Sequence, residues 1–333
     1  MKKQPFIVSL LTAFMVLPLC LILLSSCDDT KKTNTSVGTF VCIKSFENVI
    51  RQEMFVFENN YPQTVLGCKY VTDEEAFRQI MTEETKLAIT GRDLTEQERA
   101  SLKKQTSTKS VRSQQVAVDA IALIVNPDNP VDTLSIREVA RILKGELRTW
   151  AQIEPGAPNE PIRVVVDNPH SEIAAYMREK VLDGGSFDSS IVVTADSLSG
   201  VFDKVKYNKN YIGLIGSSWL TSDLGKIDET KLMEVLEKNR FDQSEINERM
   251  NHSGVKTVAL MYNSMQAYRP TQENIFTGAY PLTRPIYAVT TALPASTLGK
   301  FYSYITGADG QKIMLSSGVM PARKPNQIYE IVQ

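Results

Sequence analysis

Short apolar runs alternate with stretches of helical spacing along most of the chain. Runs typical of buried strands occupy residues 39–44, 64–71, 86–90, 116–126, 162–166, 191–194, 211–215, 255–261 and 286–290. Between such runs, apolar residues recur at every third or fourth position, as on one face of a helix, first at Phe46, Val49, Ile50, Met54 and Phe57. Strands that alternate with helices predict an α/β architecture with largely parallel sheets.

Polar residues indicate where several helices begin and end. Capping-box sequences occupy residues 72–75, 95–98 and 135–138. Gly145 suits the position just after a helix, where the backbone often turns left-handed. Asn168-Pro169 predicts a further helix with proline at its first position.

The N-terminus has the pattern of a secretory signal. Lys2 and Lys3 form a basic region, residues 5–27 are almost entirely apolar or small, and a polar stretch follows. A transmembrane anchor is the alternative, because an apolar run of about 20 residues could span a bilayer. Residues 28–38 are polar and lack hydrophobic periodicity, so we predict a flexible tether there.

The end of the apolar run, Leu24-Ser25-Ser26-Cys27, resembles the lipobox of bacterial lipoproteins. This resemblance implies that Cys27 carries a palmitate-type lipid and becomes the mature N-terminus. The rest of the chain would then be extracytoplasmic and anchored by lipid to the cell envelope, facing the periplasm or the cell surface.

Charge and motif content exclude several classes of function. The net charge is −1 and becomes −3 once Lys2 and Lys3 are removed, so no basic excess is available for nucleic acid. His170 and His252 are the only histidines, and neither has a partner at metal-ligand spacing. The sequence has no P-loop and no GxSxG motif. We therefore expect no metal, no cofactor and no enzymatic activity.

Two cysteines remain once Cys20, in the apolar run, and Cys27 are set aside. Cys42 and Cys68 both lie on predicted strands. An exported protein permits a disulfide. The favoured interpretation is a pair of buried thiols on neighbouring strands, because bridges across adjacent parallel strands are strained.

Residues 116–150 resemble a segment typical of the phosphate-binding proteins of ABC transporters. That segment is an apolar strand followed by Asn126, Pro127, Asn129, Val131, Leu134, Glu138, Ile142, Gly145 and Trp150. Further similar motifs follow the family order at residues 89–94, 210–213, 280–287 and 310–323. The resemblance covers nearly all of the chain after the tether.

The resemblance implies two Rossmann-like α/β lobes joined by crossing hinge strands, the periplasmic binding protein-like type II fold. Lobe one would comprise residues 39–120 and 288–333, and lobe two residues 126–282. A ligand would bind between the lobes, which would close by hinge motion. The cleft suits an anion, because helix N-termini direct free N–H groups into it.

The family's ligand loops map onto seven residues. They are Ser45, Thr72, Thr90, Arg92, Asp167, His170 and Ser171. Purely structural roles are the alternatives: Ser45 as a helix cap, residues 72–75 as a capped helix start, Arg92 paired with Asp93 or Glu96, and His170 as an exposed side chain.

Three of these loops depart from the family pattern. Residues 73–75 place three carboxylates where the family has a small turn, and Gly91 replaces a serine. Val165 stands where the family has an arginine, and residues 168–170 replace its glycine–serine turn. Each lost charge-assisted hydrogen bond costs roughly 1.5–3 kcal/mol, so we expect weakened anion binding with Arg92 as the main remaining cation.

Two functions follow from these observations. The first is a lipid-anchored solute-binding protein that binds phosphate or a related oxyanion for import through an ABC permease. The alternative is a diverged envelope or surface lipoprotein that uses the same fold for interaction or sensing.

Overall fold

The computed structural model describes residues 35–106, 110–157, 159–221, 254–262 and 266–323. The predicted signal, Cys27, most of the tether and His252 lie outside these ranges. Within them, no helix is long and apolar enough to cross a bilayer.

The described residues form alternating strands and helices. The strands are β1 Ser36–Ile43, β2 Thr64–Val71, β3 Leu87–Thr90, β4 Arg112–Val125, β5 Thr133–Ser135, β6 Arg163–Val166, β7 Val192–Thr194, β8 Tyr211–Gly216, β9 Lys256–Thr257, β10 Ala259–Met261, β11 Thr283–Thr290 and β12 Met320–Pro321. The helices are α1 Glu47–Asn60, α2 Asp73–Met81, α3 Glu96–Gln105, α4 Ile136–Leu143, α5 Glu172–Val181, α6 Leu198–Lys206, α7 Ser218–Thr221, α8 Gln272–Phe276, α9 Thr297–Ile305 and α10 Ala308–Ser316.

The main sheet has the strand order β2-β1-β3-β11-β4-β8-β6-β7. Strand β1 is parallel to β2 and β3, and β6 is parallel to β7 and β8. Strand β11 is antiparallel to β3 and β4, and β4 is antiparallel to β8. The sheet is thus two parallel groups linked by antiparallel strands, which confirms the predicted fold class.

Strand β4 connects the two groups. Its residues 112–120 pair with β11, whereas residues 121–125 pair with β8. We call the group around β1, β2, β3 and β11 lobe one and the group around β6, β7 and β8 lobe two. The predicted residue bounds of the lobes stay a prediction.

Each lobe has its own apolar core. In lobe one, Phe46, Phe57 and Phe301 pack with the strands on one face of the sheet. In lobe two, the second half of β4 packs with side chains that include Trp150 and Phe202. Strand β4 contributes residues to both cores, so it fixes the position at which the lobes meet.

The local signals for helix ends were partly correct. Thr95 and Ser135 each form a capping box with the glutamate three residues later. Gly145 follows α4 with φ +70°. The predicted helix start at Asn168-Pro169 was wrong, and α5 begins at Glu172.

The start of α5 is delayed because two polar side chains form a turn before it. The Asn168 side chain accepts a hydrogen bond from the backbone N–H of His170, and Ser171 caps the helix through the Ala174 N–H. At the N-terminal end of the fold, β1 begins at Ser36, so residues 36–38, assigned to the tether from sequence, lie in the sheet.

Cys42 and Cys68 lie on adjacent parallel strands as free thiols. The Cys42 thiol is fully buried, and burial raises its pKa well above the usual range. The two thiols are unbridged and lie on neighbouring strands as predicted, but only Cys42 is buried, whereas Cys68 is half-buried.

Candidate functional site

The candidate site lies where loops leave the carboxyl ends of the strands. Ser45 follows β1, Asp73 follows β2, Gly91 follows β3, Asp167 follows β6 and Ser217 follows β8. In open α/β sheets ligands bind beyond this edge, at points where the strand order changes. Here that point is the crossing strand β4.

Ser45 is one of the residues through which the lobes contact each other. It is buried, and its backbone N–H donates to Oε1 of Glu172, in lobe two, at 2.6 Å. Its carbonyl oxygen accepts from Nε1 of Trp219 at 2.8 Å. The backbone N–H and the carbonyl oxygen of Ser45 are therefore both hydrogen-bonded within the protein.

A buried ion pair joins the two crossing strands beside Ser45. Arg284 on β11 lies opposite Asp119 on β4, with Nη2 3.0 Å from Oδ2 of the aspartate. The same Nη2 donates to Oγ of Ser45 at 2.6 Å. Oγ of Ser217 donates to Oδ1 of Asp119 at 2.9 Å. We call Ser45, Asp119, Glu172, Ser217 and Arg284 the crossing site.

The Arg284 guanidinium is held in place, but one of its hydrogen-bond donors has no acceptor among the described residues. Its side chain is only 4% exposed, and its Nε is buried without a hydrogen-bond partner among the described residues. A buried donor with no partner costs free energy, and the cost disappears when a ligand supplies an acceptor. The crossing site therefore contains a fixed cation whose Nε–H can still donate a hydrogen bond to a ligand.

The loop residues of lobe one mostly satisfy one another. Thr72 caps α2 by accepting from the backbone N–H of Glu75, and the Thr90 hydroxyl donates to the carbonyl oxygen of Arg92. Asp73 accepts from the Gly91 N–H at 2.8 Å. The Asp73 pKa is raised by burial, which outweighs that hydrogen bond.

Arg92 is held by partners on lobe one. Its guanidinium forms two hydrogen bonds of 2.8 Å with Glu98 and stacks on the Phe77 ring at 3.7 Å. The ion pair with Glu98 raises the Arg92 pKa. The surface ion pair that the sequence allowed is therefore present, with Glu98 in place of Asp93 or Glu96.

The lobe-two loop presents one buried carboxylate and one hydroxyl. Asp167 and Ser171 are buried, whereas His170 is exposed. Oδ1 of Asp167 has no hydrogen-bond partner among the described residues. Burial raises the Asp167 pKa, and the negative charge of Glu172 acts in the same direction.

Carboxylates outnumber cations around the crossing site. The carboxylates are Asp73, Asp119, Asp167 and Glu172, and the cations that act on them are Arg284, Lys44 and Arg92. An anion that enters must therefore overcome or displace negative charge. In the part of the chain described here, no cluster of His, Cys, Asp or Glu is arranged to hold a metal ion.

Sequence reasoning missed four of the five members of the crossing site, namely Asp119, Glu172, Ser217 and Arg284. Arg284 was noticed only as part of the motif at residues 280–287. A charged residue inside each of two apolar crossing strands was the available signal, since a charge in a buried strand needs a partner.

Comparisons with known proteins agree with this architecture. A family model described as a PBP superfamily domain matches residues 30–309. The phosphate-binding protein PstS of Pseudomonas aeruginosa is 24% identical over 221 residues, which are 62% of this chain and 58% of that protein. The PstS of Bacillus subtilis is 25% identical, over 67% of this chain and 61% of that protein.

A third relative, SphX of Synechococcus elongatus, is 25% identical over 52% of this chain. The alignment covers only 44% of SphX. The chain thus aligns with about half of the length of the first curated relatives.

Solved structures share the fold. A Clostridium perfringens protein solved with bound phosphate superimposes with a TM-score of 0.63 at 20% identity, over 86% of this chain and all of that one. An ABC-type phosphate transport receptor of Vibrio cholerae superimposes with a TM-score of 0.57 at 20% identity, over 86% of this chain and 99% of the receptor.

The family model spans most of the chain, and the two-lobed fold agrees with it. The expected resemblance to phosphate-binding proteins of ABC transporters is confirmed, as is the expectation of a binding protein that is not an enzyme. The chain belongs to the PBP superfamily.

Proposed function

We propose that this chain is an extracytoplasmic, lipid-anchored solute-binding protein that binds phosphate or a related oxyanion between its lobes for import through an ABC permease. The observation that carries the proposal is Arg284, a buried cation on a crossing strand, with its Nη2 on the hydroxyl of Ser45 and its Nε unpartnered among the described residues. The names of the curated relatives support phosphate as the ligand.

In this proposal each lobe supplies donors to one anion. Lobe one supplies the Arg284 guanidinium and the N–H and hydroxyl of Ser45. Lobe two supplies the hydroxyl of Ser171 and the N-terminus of α5, whose free N–H groups favour negative charge. An oxyanion held from both sides favours closure of the hinge.

Asp119 holds the guanidinium in place before the ligand arrives. Because the Arg284–Asp119 pair is buried and fixed by Ser217, little side-chain entropy is lost on binding. A guanidinium offers planar donors that match two oxygens of an oxyanion. In this proposal Arg284 takes the role that the family resemblance assigned to Arg92.

The remaining loop residues have supporting roles. Thr72 and Thr90 order the loops of lobe one, and His170 lies exposed at the lobe-two loop. Asp73 is half-buried and Asp167 is buried, and both carboxyl groups have raised pKa values. We propose that their negative charge makes the binding of a dianion weaker than in relatives whose clefts contain fewer acids.

The envelope location rests on the N-terminal signal. The proposal requires a mature protein that starts at lipidated Cys27. Intact mass of membrane-extracted protein tests this requirement, and Cys27→Ser is expected to release the protein or stall its processing. A species that begins at Met1 without acyl mass would contradict the anchor.

A thermal-shift screen with phosphate, sulfate, molybdate and a phosphonate tests the ligand. A ligand at 100 times its Kd stabilises the folded state by about 2.7 kcal/mol. We expect phosphate to raise the melting temperature most.

A second candidate function is an envelope protein that uses the fold for interaction or sensing. The observation in its favour is that Glu172 and Glu98 already occupy the donors of Ser45 and Arg92. Absence of stabilisation by every oxyanion in the screen would support this second function.

A further inference from the structure

Glu172 occupies the position in which an anion would meet lobe one. Its Oε1 accepts from the Ser45 N–H at 2.6 Å, although the two residues are 127 positions apart in sequence. A hydrogen bond from an N–H group to a carboxylate is charge-assisted and stronger than one between neutral groups. A bound oxyanion would compete for the same donor.

The same side chain also weakens the anion site of lobe two. Glu172 is the first residue of α5, directly after the cap Ser171. A carboxylate in the first turn offsets the positive end of the helix dipole. Glu172 therefore occupies the Ser45 N–H of lobe one and also weakens the attraction of an anion to the N-terminus of α5 in lobe two.

The negative charge of Glu172 affects the pKa values of two neighbouring carboxyl groups. It acts to raise the pKa of Asp73, from lobe one, and of Asp167, from lobe two. Burial affects the pKa of both groups more strongly, but the Glu172 charge acts on an acid of each lobe.

We propose that Glu172 is an internal competitor of the ligand, which sets the anion affinity by holding Ser45 until an oxyanion displaces it. The displaced carboxylate swings away with α5 still capped by Ser171. This inference rests on the proposed function. Its consequence is that loss of Glu172 strengthens binding, whereas loss of a ligand-binding residue would weaken it.

Titration calorimetry with inorganic phosphate tests the competition in the full mature chain. Releasing one charge-assisted hydrogen bond corresponds to a gain of about tenfold in affinity for Glu172→Ala. Glu172→Gln keeps an acceptor for Ser45 but removes the charge, so we expect a smaller gain. Glu179→Ala, on the exposed side of the same helix, is the matched control and should bind as the wild type does.

Amide hydrogen exchange without ligand tests the contact itself. We expect faster exchange at the Ser45 amide in Glu172→Ala and no change in Glu179→Ala. Phosphate binding in Glu172→Ala with none in the wild type would also support the proposal. Equal affinity in wild type and Glu172→Ala, or an unchanged Ser45 amide, would overturn it.

Failure of the proposed function has a different signature. If neither wild type nor Glu172→Ala binds phosphate, the ligand assignment and the competition both fall. Faster exchange at Ser45 in that case would show that the Glu172 contact exists without serving phosphate binding.

Discussion

Two arginines show how the partners of a side chain decide its role. Arg92 is exposed on a loop and is neutralised by Glu98, whereas Arg284 is buried on a crossing strand beside Ser45. The sequence contains both, and the motif favoured Arg92. Only the fold shows that Arg284 is the cation at the crossing site.

We expect Arg92→Ala to change phosphate affinity by less than about threefold, because the Arg92 guanidinium is exposed and already paired with Glu98. Titration calorimetry measures the change. Arg78→Ala, which removes a comparable surface ion pair on α2, is the control. A decrease in phosphate affinity of tenfold or more in Arg92→Ala would indicate that the anion binds at the Arg92 loop instead.

We expect Asp119→Ala to destabilise the protein by about 3–5 kcal/mol, because it leaves the buried Arg284 charge without its partner. The paired change Asp119→Asn with Arg284→Gln removes both charges and should cost less. Chemical denaturation of the three proteins measures this. A single variant no less stable than the paired one would contradict the buried ion pair.

Glu53 is a fully buried carboxyl on α1, and neither oxygen has a hydrogen-bond partner among the described residues. Burial raises its pKa well above the usual value. Because the folded state holds the proton more tightly, Glu53 destabilises the fold increasingly as pH rises from its unfolded pKa through its folded pKa.

Glu53→Gln should therefore stabilise the protein more at pH 8 than at pH 4. Melting temperatures across this range, compared with those of the exposed Glu179→Gln, measure the difference. A Glu53→Gln effect that is independent of pH would show that folding does not raise the Glu53 pKa.

At the scale of elements, helix α6 packs tightly on β8 at a glycine. A Cβ atom on Gly213 would lie 2.7 Å from Val201 Cγ1 on the helix and 2.9 Å from Ile124 Cγ1 on β4. By contrast, a Cβ on Gly67 in β2 would meet its nearest neighbour at 3.4 Å.

Gly213→Ala should consequently cost about 1–3 kcal/mol through overpacking. Gly67→Ala is the matched strand control and should cost much less. Denaturant unfolding of both variants tests the contact between α6 and β8. If the two variants are equally stable, α6 lies further from β8 than the structure shows.

The elements themselves could be predicted largely from the sequence. The apolar runs identified the long strands, because buried parallel strands need apolar side chains on both faces. The start of α5 was wrong because Asn168 and Ser171 can each bond to nearby backbone groups, and the turn they form was not distinguishable from a proline-initiated helix.

At the scale of the whole molecule, β4 is the strand that pairs with both groups in the described part of the chain, with β11 of the β1 group and with β8 beside β6. Small-angle scattering should show a smaller radius of gyration with saturating phosphate than without it. Glu179→Ala should respond in the same way as the wild type. No change on saturation would argue against hinge closure.

The crossing site could be predicted only in part. Ser45 was expected from its loop, since local motifs mark residues that follow a strand. Arg284 and Asp119 are 165 positions apart, and their pairing depends on the register of β11 against β4. Register is set by the hydrophobic pattern and by the turn that joins two strands, and no short turn joins β4 to β11, so a local pattern could not reveal this pairing.

Titration calorimetry of inorganic phosphate tests the central claim most directly, with the wild type and the paired Asp119→Asn, Arg284→Gln variant compared at equal folded fraction. The proposal predicts saturable binding by the wild type and a loss of at least about tenfold in the variant, since a charge-assisted donor is removed. Binding that the variant retains in full, or no binding by the wild type, would contradict an anion site at Arg284.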